Sequence, residues 1–410
     1  MAEAGRSRLS PNGAAALVLV VLAVGLLLWQ RPWASDPSRT PDAALPSDAA
    51  AVLTDQARAL SEARTEDELV AAAGSGEAAQ RFARAVWSAR ERLDVGAVRW
   101  RYVSGGDTVA FDDGDARARF DVDGAGGSVG VQLRVHPRDD GGLDVVGVVG
   151  ADDPLPLWLA GALDVEIDDG RTVVSVDGGA GDDRFDVAAL ARTAREQVSR
   201  LTGSDRPLVV VAAPSAQVAA LLLGRPVDEL SQVAAVSTRL DERHGSLRGP
   251  AVVLNPEVFA TMDARAAQIV MTHEATHVMT DGIGSRGSTW VVEGYADFVA
   301  LHDDTAPLEI SAGQALAEVA RSGAPRALPS DADFDTSSHG IGGVYESAWL
   351  VFRMLAENHG DAAVTRFYDD VVGGTDVERA SRSAFGTSID EVTRQWRRYL
   401  QRLARGLDAG

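Results

Sequence analysis

Two histidines stand four residues apart in MTHEATHVMT, residues 271 to 280, with a glutamate directly after the first. On a helix that spacing puts His273 and His277 on one face, about 6 Å apart. Two imidazoles so placed can share one cation, and imidazole nitrogen is a good zinc ligand at about 2.0–2.1 Å. Glu274 sits about 100° further round the helix. It lies beside such a cation without pointing straight at it, where a base must be to take a proton from metal-activated water. The alternative for these residues alone is a helix that packs two histidines and holds no metal. The next segment argues against it. WVVEGYADFVAL has helical spacing and follows the glycine-containing connection DGIGSRGS. Glu293 offers a carboxylate there, sixteen residues beyond His277, and Asp297 lies one turn further on the same face. Two histidines and a carboxylate with the fourth position open is the pattern of a catalytic zinc site, not a closed structural one. Asp297 is placed to accept a hydrogen bond from the free nitrogen of a ligating histidine and so fix its tautomer. Trp290, Tyr295 and Phe298 mark this second helix as partly buried.

These residues need rigid elements under them. Asp263 is the expected N-cap of a helix over 263–280. Ahead of it, helical periodicity runs from Val187 to Leu201, then strand-like PLVVVAAP, helix-like AQVAALLLG and the short buried strand AVVLNP, residues 251 to 256. Upstream of the boundary GGAGDDRFD, residues 178 to 186, the texture differs. Residues 49–87 are helical with breaks near Gly74 and Gly76. From Val95 to Val176, alternating runs such as ARARFDVD and SVGVQLRVH are separated by Gly/Asp clusters, the signature of antiparallel strands and tight turns. The expectation is an α+β chain. A small accessory domain over 49–178, with helices on one curved antiparallel sheet, resembles in outline a nuclear-transport-factor-like cone. A mainly helical domain with a small sheet follows over 185–405.

The N-terminus suggests a location. Residues 13–29, GAAALVLVVLAVGLLLW, carry no charge, with Arg6 and Arg8 before them and Trp29 and Trp33 at the far end. The run suits a single-pass membrane anchor. It would put residues 1–12 in the cytoplasm, 30–48 in a Pro/Ser/Asp-rich linker and the rest outside; a secreted form after signal cleavage is the alternative. The net charge of −21 and the absence of lysine exclude a basic nucleic-acid footprint, and the absence of cysteine excludes disulfides and thiolate ligands.

Taken together, HEATH and WVVEGYAD resemble the gluzincin metallopeptidases of the thermolysin-like clan, most closely compact bacterial peptidase-MA-like domains. GVYESAWLVFRMLAENHG, residues 343 to 360, and the closing GTSIDEVTRQWRRYL, residues 386 to 400, are similar to the pieces that follow in those domains. One departure is that Ser288 and Thr289 precede the tryptophan where a proline is common. The resemblance covers roughly 185–405 and implies Zn2+ held by His273, His277 and Glu293, with Glu274 as general base and then acid, and Asp297 behind the ligands. It implies Tyr345 as donor to the oxyanion, with His339 in SSHGIGG as the competing donor. His136, His244, His302 and His359 have no partner at ligand spacing and read as surface or packing residues.

The implied activity is that of a membrane-anchored zinc peptidase acting on peptide or protein substrates. The alternatives are a silent zinc-binding ectodomain serving as scaffold, or a latent enzyme whose N-terminal domain covers the cleft and whose fragment from about residue 180 is the more active. The AVVLNP strand is expected to offer an edge to an extended peptide.

Overall fold

Asp169 and Gly170 take positive φ of 40° and 72°, the pair of left-handed residues that a tight type I′ hairpin needs. They join β5 (Leu163–Asp168) to β6 (Arg171–Val176). That hairpin opens a five-stranded sheet in the computed structural model, which describes residues 49–103, 115–124, 126–179, 184–334 and 340–407. Strand order is β5-β6-β7-β9-β8, with β7 at Leu208–Ala212, β8 at Ala235–Leu240 and β9 at Gly249–Leu254. The β5/β6 and β8/β9 pairs are antiparallel, whereas β6/β7 and β7/β9 are parallel. The parallel step β6–β7 is bridged by α4 (Val187–Thr202), and α5 (Ala216–Leu223) follows β7.

Upstream, α1 (Ala49–Glu62), α2 (Glu66–Ala73) and α3 (Glu77–Arg92) pack on a separate antiparallel sheet in the order β1-β2-β3-β4. Its strands are β1 (Arg99–Tyr102), β2 (Ala116–Gly124), β3 (Gly127–Pro137) and β4 (Leu143–Ala151). Strict alternation drives the pairing: Ala116, Ala118, Phe120 and Val122 of β2 and Val129, Val131, Leu133 and Val135 of β3 are all buried. Leu53, Ala57 and Leu60 of α1 form the matching stripe at helical spacing. The strands expected between Val95 and Val176 therefore do not share one curved sheet: β1 to β4 form it, and β5 and β6 belong to the second sheet. RTVVSVD carries the same alternating signature as the earlier strands, but β6 pairs with β7 and not with the first sheet.

Period two also decides which core each residue of the larger sheet joins. Leu208, Val210, Ala212, Val252 and Leu254 face the C-terminal helices. Their neighbours Val211, Ala213, Ala251 and Val253, with Val174, Val176 and Val236, share a core with α5 and the N-terminal elements. The described N-terminal elements thus back the sheet on the face opposite the C-terminal helices.

Those helices are α6 (Ala264–Met279), α7 (Thr289–Ala300), α8 (Gly313–Ser322), α9 (Ile341–His359), α10 (Asp361–Val372), α11 (Val377–Phe385) and α12 (Ile389–Leu407). Asp263 caps α6, its side chain accepting from Ala266 N at 2.8 Å. Every α6 residue from Ile269 to Met279 is buried, as expected of a helix with other elements on all sides. Gly294 explains how closely α7 and α9 cross: a Cβ there would stand 2.9 Å from the backbone C and O of Ala348, so only glycine fits. Residues 13–29 and His339 lie outside the described residues; among those described, no helix is long and apolar enough to cross a membrane.

Candidate metal centre

Helix α6 presents His273 and His277 inward and α7 presents Glu293 and Asp297 toward them, all four at most 2% exposed. The structure brings His273, His277 and Glu293 together as one buried group of potential ligands. His273 Nε2 lies 3.0 Å from His277 Nε2 and 3.3 Å from Glu293 Oε2, and His277 Nε2 is 3.7 Å from Glu293 Oε1. Ligands 2.0–2.1 Å from a tetrahedral centre are spaced by about 3.3–3.4 Å. The three edges scatter around that value, so the donor set and its size fit zinc. Glu293 Oε1 makes no hydrogen bond among the described residues although it is buried, a cost that a cation in the triangle would remove.

Asp297 Oδ1 lies 2.8 Å from His273 Nδ1. The carboxylate therefore accepts from Nδ1–H, so Nε2 is the nitrogen left to ligate once its own proton is lost. Burial works against charge on His273, but Asp297 and Glu293 outweigh it and hold its pKa well above the usual imidazole range. Burial likewise penalises the charge on Glu293, yet His277 and His273 draw its pKa down to about 2. Burial raises Asp297 despite His273 beside it. These directions describe the metal-free protein, in which His273 must lose a proton before it can ligate.

Glu274 stands apart from the triangle. Its Oε2 accepts from the backbone N–H of Ser237 at 2.7 Å, and burial raises its pKa against the pull of both histidines. Ser237 is on β8, so the edge strand of the sheet fixes the carboxylate that the HExxH spacing puts beside the ligands. Tyr345 is 1% exposed on α9, and burial together with the nearby carboxylates of Glu293, Asp297 and Glu274 holds its hydroxyl well above its ordinary pKa. The aromatic stripe of α9 packs as well: Phe352 lies edge-on or tilted against Trp290 and Tyr295. Of the remaining histidines, His244 is buried, His302 meets Asp303 and Asp361, and His359 lies against Phe385.

The strand AVVLNP is not an edge. It forms β9, paired on one side with β7 and on the other with β8, which corrects the sequence expectation. Three features of the site were not anticipated in the sequence. Ser237 carries no signal, because its contribution is a backbone N–H. Gly294 could have been found, since a glycine directly after a ligand on an apolar helix costs helix stability and so implies close packing. Tyr368, whose hydroxyl converges with His277 on Gly282, is one aromatic among many in an apolar stripe.

No family model matches the chain, and no curated protein matches its sequence. Solved structures similar to it include an M1 zinc metallopeptidase from Deinococcus radiodurans, at 12% identity and a TM-score of 0.36, covering 73% of this chain and 69% of that one. A mutant of that protein bound to a Tyr-Ser-Ala substrate matches at 14% identity and a TM-score of 0.35 over 73% and 69% of the two chains. A two-domain M1 zinc metallopeptidase mutant bound to L-arginine matches at 16% identity and a TM-score of 0.33, covering 65% of this chain and 58% of that one. Likeness of this degree does not assign an activity; the geometry of the site carries the functional reading.

Proposed function

We propose that this chain is a zinc-dependent peptidase that hydrolyses peptide bonds, anchored to a membrane by residues 13–29 with its folded part on the outer side. The observation that carries the proposal is the buried triangle of His273, His277 and Glu293 with Glu274 held beside it by the sheet edge. A zinc ion bound there would supply a Lewis acid for the scissile carbonyl and lower the pKa of the attacking water.

The chain's own residues do the rest. Glu274 Oε2 is occupied by Ser237 N–H, so Oε1 is left to receive the proton from water and return it to the leaving amine. Its raised pKa, set by burial, makes it a better proton acceptor than an exposed carboxylate. Tyr345 stays protonated and donates its hydroxyl to the developing oxyanion. Asp297 holds His273 in the ligating tautomer. The outer edge of β8, which carries Ser237, offers backbone groups to an extended peptide. That role falls to β8 because it ends the sheet order.

The test uses residues 36–410 purified with zinc, incubated with a diverse peptide mixture beside Glu274→Gln, with cleavage read by mass spectrometry. Cleavage by the wild type alone supports the peptidase. If neither protein cuts although both hold one zinc, the scaffold and latent readings take its place together.

A further inference from the structure

His273 has Asp297 to orient it; His277 has no such carboxylate. His277 Nδ1 is buried and makes no direct hydrogen bond among the described residues. A ligating histidine nearly always donates its second N–H to a fixed acceptor, because that donation sets the tautomer. The structure points to where the acceptor is.

Gly282 lies in the connection between α6 and α7. A Cβ built on it would stand 3.1 Å from His277 Nδ1 and 2.9 Å from Tyr368 Oη. The two polar atoms therefore converge on one glycine and are separated by no more than about 6 Å. One water bridges two polar atoms across up to twice a hydrogen-bond length, about 5.4–6 Å.

The direction of the hydrogen bonds beyond Tyr368 is fixed by what each hydroxyl already does. Thr280 Oγ1 donates to the carbonyl of Thr276 at 2.7 Å. Its single proton being used, Thr280 Oγ1 accepts from Tyr368 Oη, 2.6 Å away. Tyr368 Oη in turn keeps a lone pair for a donor on its other side. Tyr368 is fully buried and stacked on Tyr295 at 4.0 Å between ring centroids, so the hydroxyl is held in place.

We propose that Tyr368 is a positioning residue for the metal centre: its hydroxyl accepts the Nδ1 proton of His277 through one bridging water beside Gly282. Donation then runs from His277 Nδ1–H through the water to Tyr368, Thr280 and the carbonyl of Thr276. With the proton fixed on Nδ1, His277 Nε2 keeps its lone pair toward His273 and Glu293. Helix α10 thereby supports the second ligand as α7 supports the first. Gly282 is needed because a Cβ there would press on both polar atoms, 3.1 Å from His277 Nδ1 and 2.9 Å from Tyr368 Oη, and disturb the bridge between them. This inference rests on the metal-centre reading and is independent of peptidase activity.

The experiment compares zinc dissociation constants, by competition with a chromophoric chelator, for the wild-type protein, Tyr368→Phe, Gly282→Ala and Tyr295→Phe. Tyr368→Phe keeps the ring and its stacking and is expected to bind zinc about 10-fold or more weakly, the range for losing such a partner. Gly282→Ala is expected to weaken binding similarly. Gly282 lies outside the left-handed region, so that variant tests space and not backbone strain. Tyr295→Phe removes a hydroxyl of the same stacked pair that bonds Thr365 instead, and is expected to stay within twofold. Nitrogen chemical shifts of the zinc-loaded protein should show His277 protonated at Nδ1. Wild-type affinity in both Tyr368→Phe and Gly282→Ala overturns the proposal, and so does an equal loss in Tyr295→Phe. A wild-type protein that does not compete for zinc at all overturns the metal centre itself and this inference with it.

Discussion

Replacing Asp297 separates what its shape does from what its charge does. Asp297 is fully buried, with Oδ1 2.8 Å from His273 Nδ1. Asp297→Asn keeps the volume and an acceptor oxygen, so His273 Nδ1–H retains a partner, but the negative charge that makes the ring more basic is lost. Partners of this kind typically contribute 10–100-fold to metal affinity, or about 1.4–2.7 kcal/mol at 1.36 kcal/mol per tenfold. Asp297→Ala also leaves the Nδ1–H unpaired inside a site where His273 is 1% exposed, which adds about 1–3 kcal/mol. The expected order of zinc affinity is wild type, then Asn, then Ala, with Ala weaker than Asn by about 5-fold or more. There is an opposing effect. In the metal-free protein Asp297 helps to keep His273 protonated, and zinc must displace that proton. The Asn variant should therefore recover part of its deficit at lower pH, where proton competition in the wild type is strongest. The assay is chelator competition on metal-stripped protein from about pH 6 to 8. Equal affinities for wild type and Asn at pH 8 would refute the assigned partnership. So would equal affinities for Asn and Ala, since the hydrogen bond would then carry none of the effect.

Burial and packing lead to two further outcomes. Glu346 on α9 is 1% exposed and accepts from Ala315 N at 2.7 Å, and burial pushes its pKa up to about 8. Because the folded value lies above the unfolded one, stability from this group is full below about pH 4.5 and is lost as pH rises through 8. Glu346→Gln should therefore flatten the decline in Tm between pH 5 and 9 and exceed the wild type at pH 9; parallel Tm profiles would refute the assignment. A fragment beginning near residue 180 would lack β5 and β6, leave β7 as an edge strand paired only with β9, and uncover part of the core around Val211, Val236, Ala251 and Val253. It is expected to aggregate or to lose cooperative thermal unfolding by circular dichroism, instead of showing the higher activity expected of a released enzyme; a soluble fragment with a sharp transition would show that the sheet does not need its N-terminal strands.

The parts of this protein that were legible in its sequence are those where one helix sets the geometry. His273, Glu274 and His277 need only the 3.6-residue repeat, and Glu293 and Asp297 need only the next helix to face the first. The Asp263 cap and the alternation of β2 and β3 are equally local. What the sequence did not reveal depends on pairing at long range. Nothing in RTVVSVD says which sheet it joins, because β6 alternates like β2 and only the partner β7 distinguishes them. Nothing in AVVLNP says that β9 is covered on both sides, since a short apolar run suits a buried edge or an interior strand. The groups placed to orient the candidate ligands fall on both sides of this line. Asp297 belongs to the same turn pattern as Glu293, so spacing reveals it. Ser237 acts through its backbone, and Tyr368 reaches the site from a helix nearly a hundred residues beyond the histidines. A candidate metal centre on two helices thus shows its potential ligands in a single stretch of sequence, while the groups placed to orient them come from whichever elements the fold packs around them. Buried polar atoms without a partner, such as His277 Nδ1, are where those groups are to be sought.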